Sequence, residues 1–302
     1  MTNERSEFQH ISVMSQEVQG ALDLKEGAVV VDGTLGLGGH AVMMAAKIGI
    51  KGHLIGIDQD ACAIDLARIR LKDFKGRLDV VKSNFSRLDQ VLKDLGVDEV
   101  DAVLLDLGVS SLQLDDPVRG FSFRADGPLD MRMDADAATT AEELVNELPE
   151  KDLADLIFHY GEERFSRRIA QRIVQLRAGQ RIRTTGELAD IVLRSLPRGY
   201  QRDKLHPATR TFQALRIAVN RELEVLEETL DRAFKHLKIG GRIAVIAFHS
   251  LEDRIVKDKF RTLAREGCAA LLTKKPLRPT EAEAADNPRS RSARFRVLER
   301  IG

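Results

Sequence analysis

Residues 29–40 read Val-Val-Val-Asp-Gly-Thr-Leu-Gly-Leu-Gly-Gly-His, and this stretch decides the fold. The β-branched run that ends at Asp32 predicts a buried parallel strand. Four glycines then fall within seven residues: Gly33, Gly36, Gly38 and Gly39. Glycine permits positive φ and lets a ligand lie against the backbone. Because the apolar spacing becomes helical from His40, the pattern indicates either a nucleotide cradle or a plain tight turn.

The next predicted strand, His53–Asp58, decides between these two interpretations. It ends in a carboxylate, and Asp58 lies 19 residues after Gly39. That separation is typical of an acidic side chain that binds the ribose hydroxyls of a bound adenosine. The alternative is that Asp58 caps the helix predicted over residues 61–74, although Asp60 is also placed to do so. We therefore predict Asp58 as a ribose ligand.

Composition limits the class of protein. The chain has 302 residues, of which 43% are hydrophobic, enough for one large domain or two smaller ones. Its 47 basic and 47 acidic residues cancel, so any contact with RNA must come from a local patch. Two cysteines, Cys62 and Cys268, are too few for a zinc cluster, and we expect no metal. The polar N-terminus and the lack of a long apolar run predict a cytoplasmic protein without membrane contact.

Strands and helices alternate on both sides of a long interruption. The predicted strands are Ala28–Asp32, His53–Asp58, Leu78–Lys82, Asp101–Asp106, Arg242–Phe248 and a final pair, Leu271–Thr273 and Arg294–Glu299. Such alternation predicts an α/β fold with helices on both faces of a parallel sheet. No strand is predicted between residues 113 and 206. We therefore predict one discontinuous domain, residues 1–112 and 207–302, and a helical insertion, residues 113–206.

The second half begins with a long helix predicted over residues 207–237, followed by one parallel strand and the final pair. Ser250 and Asp253 resemble a capping box for the helix after that strand. A nicotinamide oxidoreductase would instead use a second mononucleotide-binding half. The antiparallel ending matches a class I S-adenosylmethionine-dependent methyltransferase, with a Rossmann-like, mostly parallel seven-stranded sheet. The methionine end of that cofactor would then face the glycine loop, and its adenine would face Phe85, unless Phe85 only packs in the core.

Three further polar residues are candidates for the site. Asp106 ends the fourth strand beside the switch point of the sheet, so it is predicted near the transferred methyl group, unless it only caps the next turn. Gln113 is either a ligand contact or a solvated loop residue. His249 follows the fifth strand, where it either lines the pocket or has a structural role.

Contacts with RNA have two candidate patches. Arg164, Arg168 and Arg172 are spaced four apart, and Arg289, Arg291 and Arg294 form the second patch. A solvated helix face or loop is the alternative for each. Phe121, Phe123 and Phe248 could stack on a base that leaves its helix.

Eight ordered motifs cover nearly the whole chain. They are Gly33-Thr-Leu-Gly-Leu-Gly-Gly-His40, Leu104-Leu-Asp-Leu-Gly-Val-Ser-Ser111, Arg119-Gly-Phe-Ser-Phe123, Gly127-Pro-Leu-Asp-Met-Arg-Met-Asp134, Tyr160-Gly-Glu-Glu-Arg-Phe165, His206-Pro-Ala-Thr-Arg-Thr-Phe-Gln-Ala-Leu-Arg216, Phe248-His-Ser-Leu-Glu-Asp-Arg254 and Asn287-Pro-Arg-Ser-Arg-Ser292. Together they resemble the MraW family of small-subunit ribosomal RNA methyltransferases. The resemblance runs in family order from about His10 to Glu299.

The resemblance implies N4-methylation of a cytidine in the decoding centre of 16S ribosomal RNA, within the small ribosomal subunit, with S-adenosylmethionine as donor. It implies cofactor contacts at Gly38, Gly39, His40, Asp58, Phe85, Asp106 and Gln113. Asp106 is also our candidate catalytic proton acceptor, although a backbone carbonyl could serve instead. The chain departs from the family pattern at Leu37 and at Leu112, and the second departure affects the loop that carries Gln113.

Two other functions stay open at this point. One is methylation of another nucleic acid, such as DNA. The other is a ribosome assembly factor that keeps the cofactor fold without turnover. Equilibrium binding and methyl transfer to small subunits distinguish all three functions.

Overall fold

The computed structural model describes residues 12–197 and 206–302, so the start of the family resemblance at about His10 lies outside the described residues. The chain divides into a sheet unit, Met1–Gly108 with Leu223–Gly302, and a helical unit, Val109–Glu222. The first boundary lies four residues before the predicted one, and the second lies sixteen residues after it. The second boundary is later because Ala208, Phe212 and Leu215 are buried in the core of the helical unit.

The sheet has seven strands in the order β3-β2-β1-β4-β5-β7-β6. Their bounds are β1 Val29–Asp32, β2 His53–Asp58, β3 Arg77–Lys82, β4 Val100–Asp106, β5 Leu237–Ala247, β6 Ala269–Leu271 and β7 Arg294–Arg300. The first five strands are parallel, whereas β7 runs antiparallel to both β5 and β6. This confirms the predicted α/β, Rossmann-like class with its antiparallel ending.

Thirteen helices are present in the described ranges. They are α1 Ser15–Leu22, α2 Gly39–Ile48, α3 Ala61–Arg70, α4 Leu88–Asp94, α5 Ser111–Asp115, α6 Ala141–Glu147, α7 Glu150–Gly161, α8 Ser166–Arg177, α9 Thr185–Ser195, α10 Thr209–Asn220, α11 Glu222–Lys235, α12 Ser250–Arg265 and α13 Glu281–Asp286. Short 3-10 helices are Phe85–Arg87, Pro117–Arg119 and Pro288–Ser292. None of the helices within these ranges is long and apolar enough to cross a membrane.

Both faces of the sheet are buried, which explains the continuous apolar runs of its central strands. Alternate residues of β4 point to opposite sides: Val103 and Leu105 pack with α4, α11 and α12. Ala102 and Leu104 pack with α1 and α2 on the other side. By the same alternation, Asp106 belongs to the face that α2 covers.

The helical unit has its own core. Ile169 and Ile173, on the apolar face of α8, are completely buried, so this stripe is core and not a ligand surface. Phe121 is buried in the same core, and Phe123 packs edge-on against Phe212 at 4.8 Å between ring centroids. Both phenylalanines are therefore packing residues in the structure, not exposed stacking partners for a base.

The single long helix predicted over residues 207–237 is wrong. It is two helices, α10 and α11, because Arg221 adopts a left-handed conformation with φ 51°. The Arg216 guanidinium forms a paired contact with Glu222, with both N–O distances 2.8 Å, across this break. Gly240, predicted just past the helix end, lies inside β5 with φ 80°.

Candidate active site

The carboxyl edge of the sheet contains a notch. β1 ends at Asp32, which lies opposite Gly56 in β2 and Leu104 in β4. Both neighbouring strands continue for two more residues, to Asp58 and Asp106. A gap between two longer strands therefore opens directly after β1, at the switch point where α/β sheets bind ligands.

The glycine loop runs through this notch and bonds to both of its walls. The Gly33 amide donates to the Leu104 carbonyl at 2.9 Å, and the Leu35 amide donates to the Ile57 carbonyl at 3.0 Å. Gly38 has φ 76°, and a Cβ there would lie 3.3 Å from Ala67 of α3. Only glycine fits that close approach without strain.

Asp58 holds the loop from the β2 side. Its Oδ2 accepts the Gly36 amide at 2.7 Å, and its Oδ1 accepts the Asp60 amide at 2.9 Å. Burial raises the pKa of Asp58 above its ordinary value, and the two amides oppose that rise. The N-cap of α3 is Asp60, whose carboxylate accepts the Cys62 amide, so Asp58 is not the helix cap. Its role as a ribose ligand stays a prediction.

Asp106 and His40 face each other on the other side of the notch. The His40 Nε2 lies 3.5 Å from the Asp106 Oδ2, and the His40 side chain is buried. Burial alone lowers the pKa of His40, but the carboxylates of Asp106 and Asp32 outweigh burial and raise it above its ordinary value. The Asp106 amide donates to the Thr34 hydroxyl at 2.6 Å, which fixes the end of β4 to the glycine loop.

Asp32 is a site residue that sequence reasoning missed, because it was treated only as the end of a strand. It is 1% exposed. Burial raises its pKa to about 7, against the opposing effects of His40 and the Thr34 amide. The available signal was three strands, adjacent in the predicted sheet, that each end in aspartate: Asp32, Asp58 and Asp106.

Several buried polar atoms of this cluster lack a hydrogen-bond partner. Within the described part of the chain, both ring nitrogens of His40 and the Oδ1 of Asp106 are in this condition. Buried polar atoms in folded proteins are normally paired, so these atoms fit a polar ligand. The methionine end of S-adenosylmethionine carries a carboxylate, which supplies an acceptor for a ring nitrogen of His40. The residues present therefore fit the predicted cofactor.

Phe85 and Asn84 lie where β3 ends. Asn84 caps the 3-10 helix that Phe85 opens, accepting the Ser86 amide at 2.8 Å. A side chain at Gly33 would come within 3.5 Å of the Phe85 Cβ, so Phe85 adjoins the glycine loop. Phe85 is half-buried and also packs against the core. Its contact with adenine stays a prediction.

Gln113 lies in the helical unit, at the start of α5. Its Oε1 accepts the Ser110 amide at 3.0 Å, and the Ser110 hydroxyl accepts the Gln113 amide at 3.2 Å. This capping box occupies the side-chain carbonyl, and the side chain is buried. Gln113 is therefore not a solvated loop residue, while its contact with the cofactor stays a prediction.

The predicted capping box at Ser250 and Asp253 is wrong by one residue. The N-cap of α12 is His249, whose Nδ1 accepts the Glu252 amide at 3.4 Å. Glu252 in turn accepts the amides of Phe248 and His249. The structure therefore gives His249 the structural role that was one of its two alternatives. Asp253, free of the cap, faces Arg294 and Arg296.

The two arginine patches have different outcomes. Arg164, Arg168 and Arg172 are all exposed, and Arg164 lies over the Phe165 ring at 4.7 Å. Arg289 and Arg291 are also exposed, but Arg294 is half-buried and paired with Asp253. In the second patch, Arg294 therefore differs from its two exposed neighbours. RNA contact at all six arginines stays a prediction.

A family model describes the chain from residue 7 to residue 301, under the description MraW methylase family. The chain belongs to this family. That assignment confirms the resemblance drawn from the eight motifs, and it confirms S-adenosylmethionine as the cofactor. As a methylase, the chain is an enzyme, and a nicotinamide oxidoreductase is excluded.

Similar proteins from several bacteria belong to the same family. The chain is 50% identical to the ribosomal RNA small subunit methyltransferase H of Citrifermentans bemidjiense, over 98% of this chain and 99% of that protein. It is 46% identical to the protein of that name from Brevibacillus brevis, over 97% and 98% of the two chains. Among solved structures, an rRNA methylase from Streptococcus thermophilus matches 95% of this chain and 94% of its own, with a TM-score of 0.44 and 10% identity.

We expect Asp58→Ala to weaken S-adenosylmethionine binding by about 10- to 100-fold, because charge-assisted hydrogen bonds to the ribose are lost. Isothermal titration calorimetry measures this affinity directly. Asp60→Ala is the matched control, since Asp60 lies two residues away and caps α3. It should lower the melting temperature but keep the affinity within about twofold. Unchanged affinity in Asp58→Ala would remove Asp58 from the site.

Asp32 makes the stability of the ligand-free protein depend on pH. Its folded pKa of about 7 lies above the ordinary value of 3.8, so its contribution to stability is complete below pH 4 and is lost as pH rises to 7. We expect Asp32→Asn to unfold at higher urea than the parent at pH 8, by roughly 3–4 kcal/mol, and to lose this advantage near pH 4. The exposed Asp65→Asn is the control. An advantage that is the same at both pH values would contradict a buried, protonated Asp32.

Proposed function

We propose that this protein transfers a methyl group from S-adenosylmethionine to the N4 amine of a cytidine in the decoding centre of 16S ribosomal RNA, within the small ribosomal subunit. The observation that carries the proposal is the notch after β1, where the unpartnered His40 and Asp106 atoms meet the glycine loop. Small-subunit ribosomal RNA as the substrate is supported by relatives at 50% identity that are named as small-subunit ribosomal RNA methyltransferases.

When bound, the cofactor supplies an activated methyl group on a sulfonium. The chain has to hold that group and exclude water. In this proposal, Gly38, Gly39 and His40 hold the methionine end, and Asp58 binds the ribose. Phe85 covers the adenine, and Gln113 belongs to the same contact set.

The acceptor amine is less reactive than the methyl donor. Its lone pair is delocalised into the cytosine ring, so it is a weak nucleophile. A carboxylate near the amine would favour its rehybridisation and take the proton that it loses when the N–C bond forms. The buried Oδ1 of Asp106, which has no hydrogen-bond partner among the described residues, supports Asp106 in this role. Alignment of amine and methyl by the rigid strand ends would supply the rest of the rate.

His40 would assist by holding its positive charge beside Asp106, since the raised pKa of His40 keeps that ring protonated to higher pH. A protonated His40, whose Nε2 lies 3.5 Å from the Asp106 Oδ2, orients the Asp106 carboxylate. His40 would thus be a positioning residue for Asp106 in addition to its contact with the cofactor.

The substrate is tested by tritium transfer from labelled S-adenosylmethionine to purified small subunits, to free 16S RNA and to DNA. We expect label in the small subunits, and nucleoside mass mapping should place it on N4-methylcytidine. Preferential label in DNA would favour the other enzyme class. Cofactor binding without any turnover would favour an assembly factor.

We expect Asp106→Asn to slow single-turnover methyl transfer by at least about 100-fold at saturating cofactor and RNA, because the proton acceptor is lost. Its affinity for S-adenosylmethionine should change much less, by about fivefold at most. Asp65→Asn removes an exposed carboxylate of the same unit and should leave the rate unchanged. A retained rate in Asp106→Asn would mean that another group, such as a backbone carbonyl, accepts the proton.

A further inference from the structure

Arg294 is a cation that its own surroundings do not fully satisfy. It lies beside Arg296 on β7, and both guanidinium groups face the single carboxylate of Asp253 in α12. The Arg296 Nε donates to the Asp253 Oδ1 at 2.7 Å, and the Arg296 Nη2 donates to the Asp253 Oδ2 at 3.3 Å. Arg294 reaches it only through Nη1 at 3.4 Å, and its Nε is buried without a partner among the described residues. Two guanidinium groups against one carboxylate leave one positive charge uncompensated.

The register of the sheet places Arg294 at the same edge as the methyl-transfer site. Asp106 pairs with Ile246 in β5, and Ile246 pairs with Phe295 in β7. Arg294 pairs with Ala247, one position nearer the carboxyl edge of β5. Two strand spacings separate β4 from β7, so the Arg294 backbone lies roughly 10 Å from that of β4.

Arg294 also lies on the side of Asp106 that is opposite to the cofactor residues. The glycine loop follows β1, and Asp58 ends β2, whereas β5 and β7 extend from β4 in the other direction. Asp106 is thus between the predicted cofactor contacts and Arg294. The side chains of Asp106 and Arg294 lie on opposite faces of the sheet, since Phe295 shares the α2 face with Ile246 and Asp106, while Arg294 and Arg296 project toward α12. A group bound at Arg294 would therefore lie at the carboxyl edge of the sheet, beyond the residues predicted to bind the cofactor.

The chemistry of the site selects phosphate. A guanidinium presents its hydrogens as a planar fork that matches two phosphate oxygens, and 26% of the Arg294 side chain is exposed to an incoming group. S-adenosylmethionine contains no phosphate. A phosphate at this edge would therefore come from the nucleic acid whose base is being methylated.

We propose that Arg294 binds a backbone phosphate of the substrate RNA beside the target cytidine, and that Arg296 with Asp253 forms the fixed base that orients it. This inference rests on the proposed function, since it takes RNA as the substrate. It assigns a residue that contacts substrate on the sheet unit itself, at the start of β7, two strands from the β4 end that carries Asp106.

The test measures how the affinity for single-stranded RNA varies with salt concentration, using protein saturated with S-adenosylhomocysteine so that no turnover occurs. Each phosphate contact that is lost reduces the slope of log affinity against log salt by about 0.7. We expect this reduction in Arg294→Ala, with about tenfold weaker binding at low salt. Arg265→Ala is the charge-matched control, since Arg265 is exposed at the far end of α12. It should leave the slope unchanged.

A second variant distinguishes the loss of a phosphate contact from a loss of folding. Arg294→Lys keeps the charge and loses the fork, so it should keep the slope but bind RNA several-fold more weakly. Calorimetry should show unchanged cofactor affinity in both Arg294 variants. A slope in Arg294→Ala equal to that of Arg265→Ala would overturn the proposal. If Arg294→Ala does not fold, RNA affinity of Arg294→Lys equal to the parent's would overturn it.

Failure of this inference and failure of the proposed function give different results. The salt dependence is read without methyl transfer, so it reports on Arg294 even if small subunits are not methylated. If parent protein methylates DNA and not RNA, the proposed substrate fails. A slope change seen only with DNA would then overturn the assignment of RNA as the partner of Arg294.

Discussion

The structure depends on how three carboxylates are accommodated at one edge of a sheet. β2, β1 and β4 are neighbours, and each ends in an aspartate. Negative charges that lie close together and are partly desolvated repel each other. Each carboxylate therefore needs a hydrogen-bond donor, a positive charge or a proton to stabilise it. Asp58 obtains it from the Gly36 and Asp60 amides, and Asp106 from His40. Asp32, the most deeply buried, holds a proton up to about pH 7.

The same hydrogen bonds hold the glycine loop in place at the notch. Its Gly36 amide is bonded to Asp58, and its Thr34 hydroxyl accepts the Asp106 amide. The loop is therefore tied to both longer strands, one on each side of the notch. A preorganised loop loses little conformational freedom when a ligand binds, which favours tight and oriented binding.

Sequence predicted the fold well because its signals are local. β2 has the predicted bounds, and β1, β3 and β4 differ by a residue at one end, since these strands are short apolar runs and β1, β2 and β4 end in aspartate. The break between α10 and α11 at Arg221 was not predicted. A left-handed residue other than glycine does not change the spacing of the apolar residues, so the sequence pattern does not reveal it. Contacts between distant residues were also missed. Asp253 meets Arg296 across 43 positions, so the sequence alone favoured a local capping role for it.

In the candidate site too, local sequence signals were predicted and contacts between distant residues were not. Asp58 and Asp106 were predicted as functional from their places at strand ends, and nothing in the sequence distinguishes them chemically from Asp32. Only burial and partners do so: two amides for Asp58, a histidine for Asp106, and nearly complete desolvation for Asp32. One residue type thus acquires three environments within one notch. Among the described residues, Asp106 is the one of these three carboxylates that retains a buried oxygen without a partner, and for this reason we propose it, and not its neighbours, as the proton acceptor.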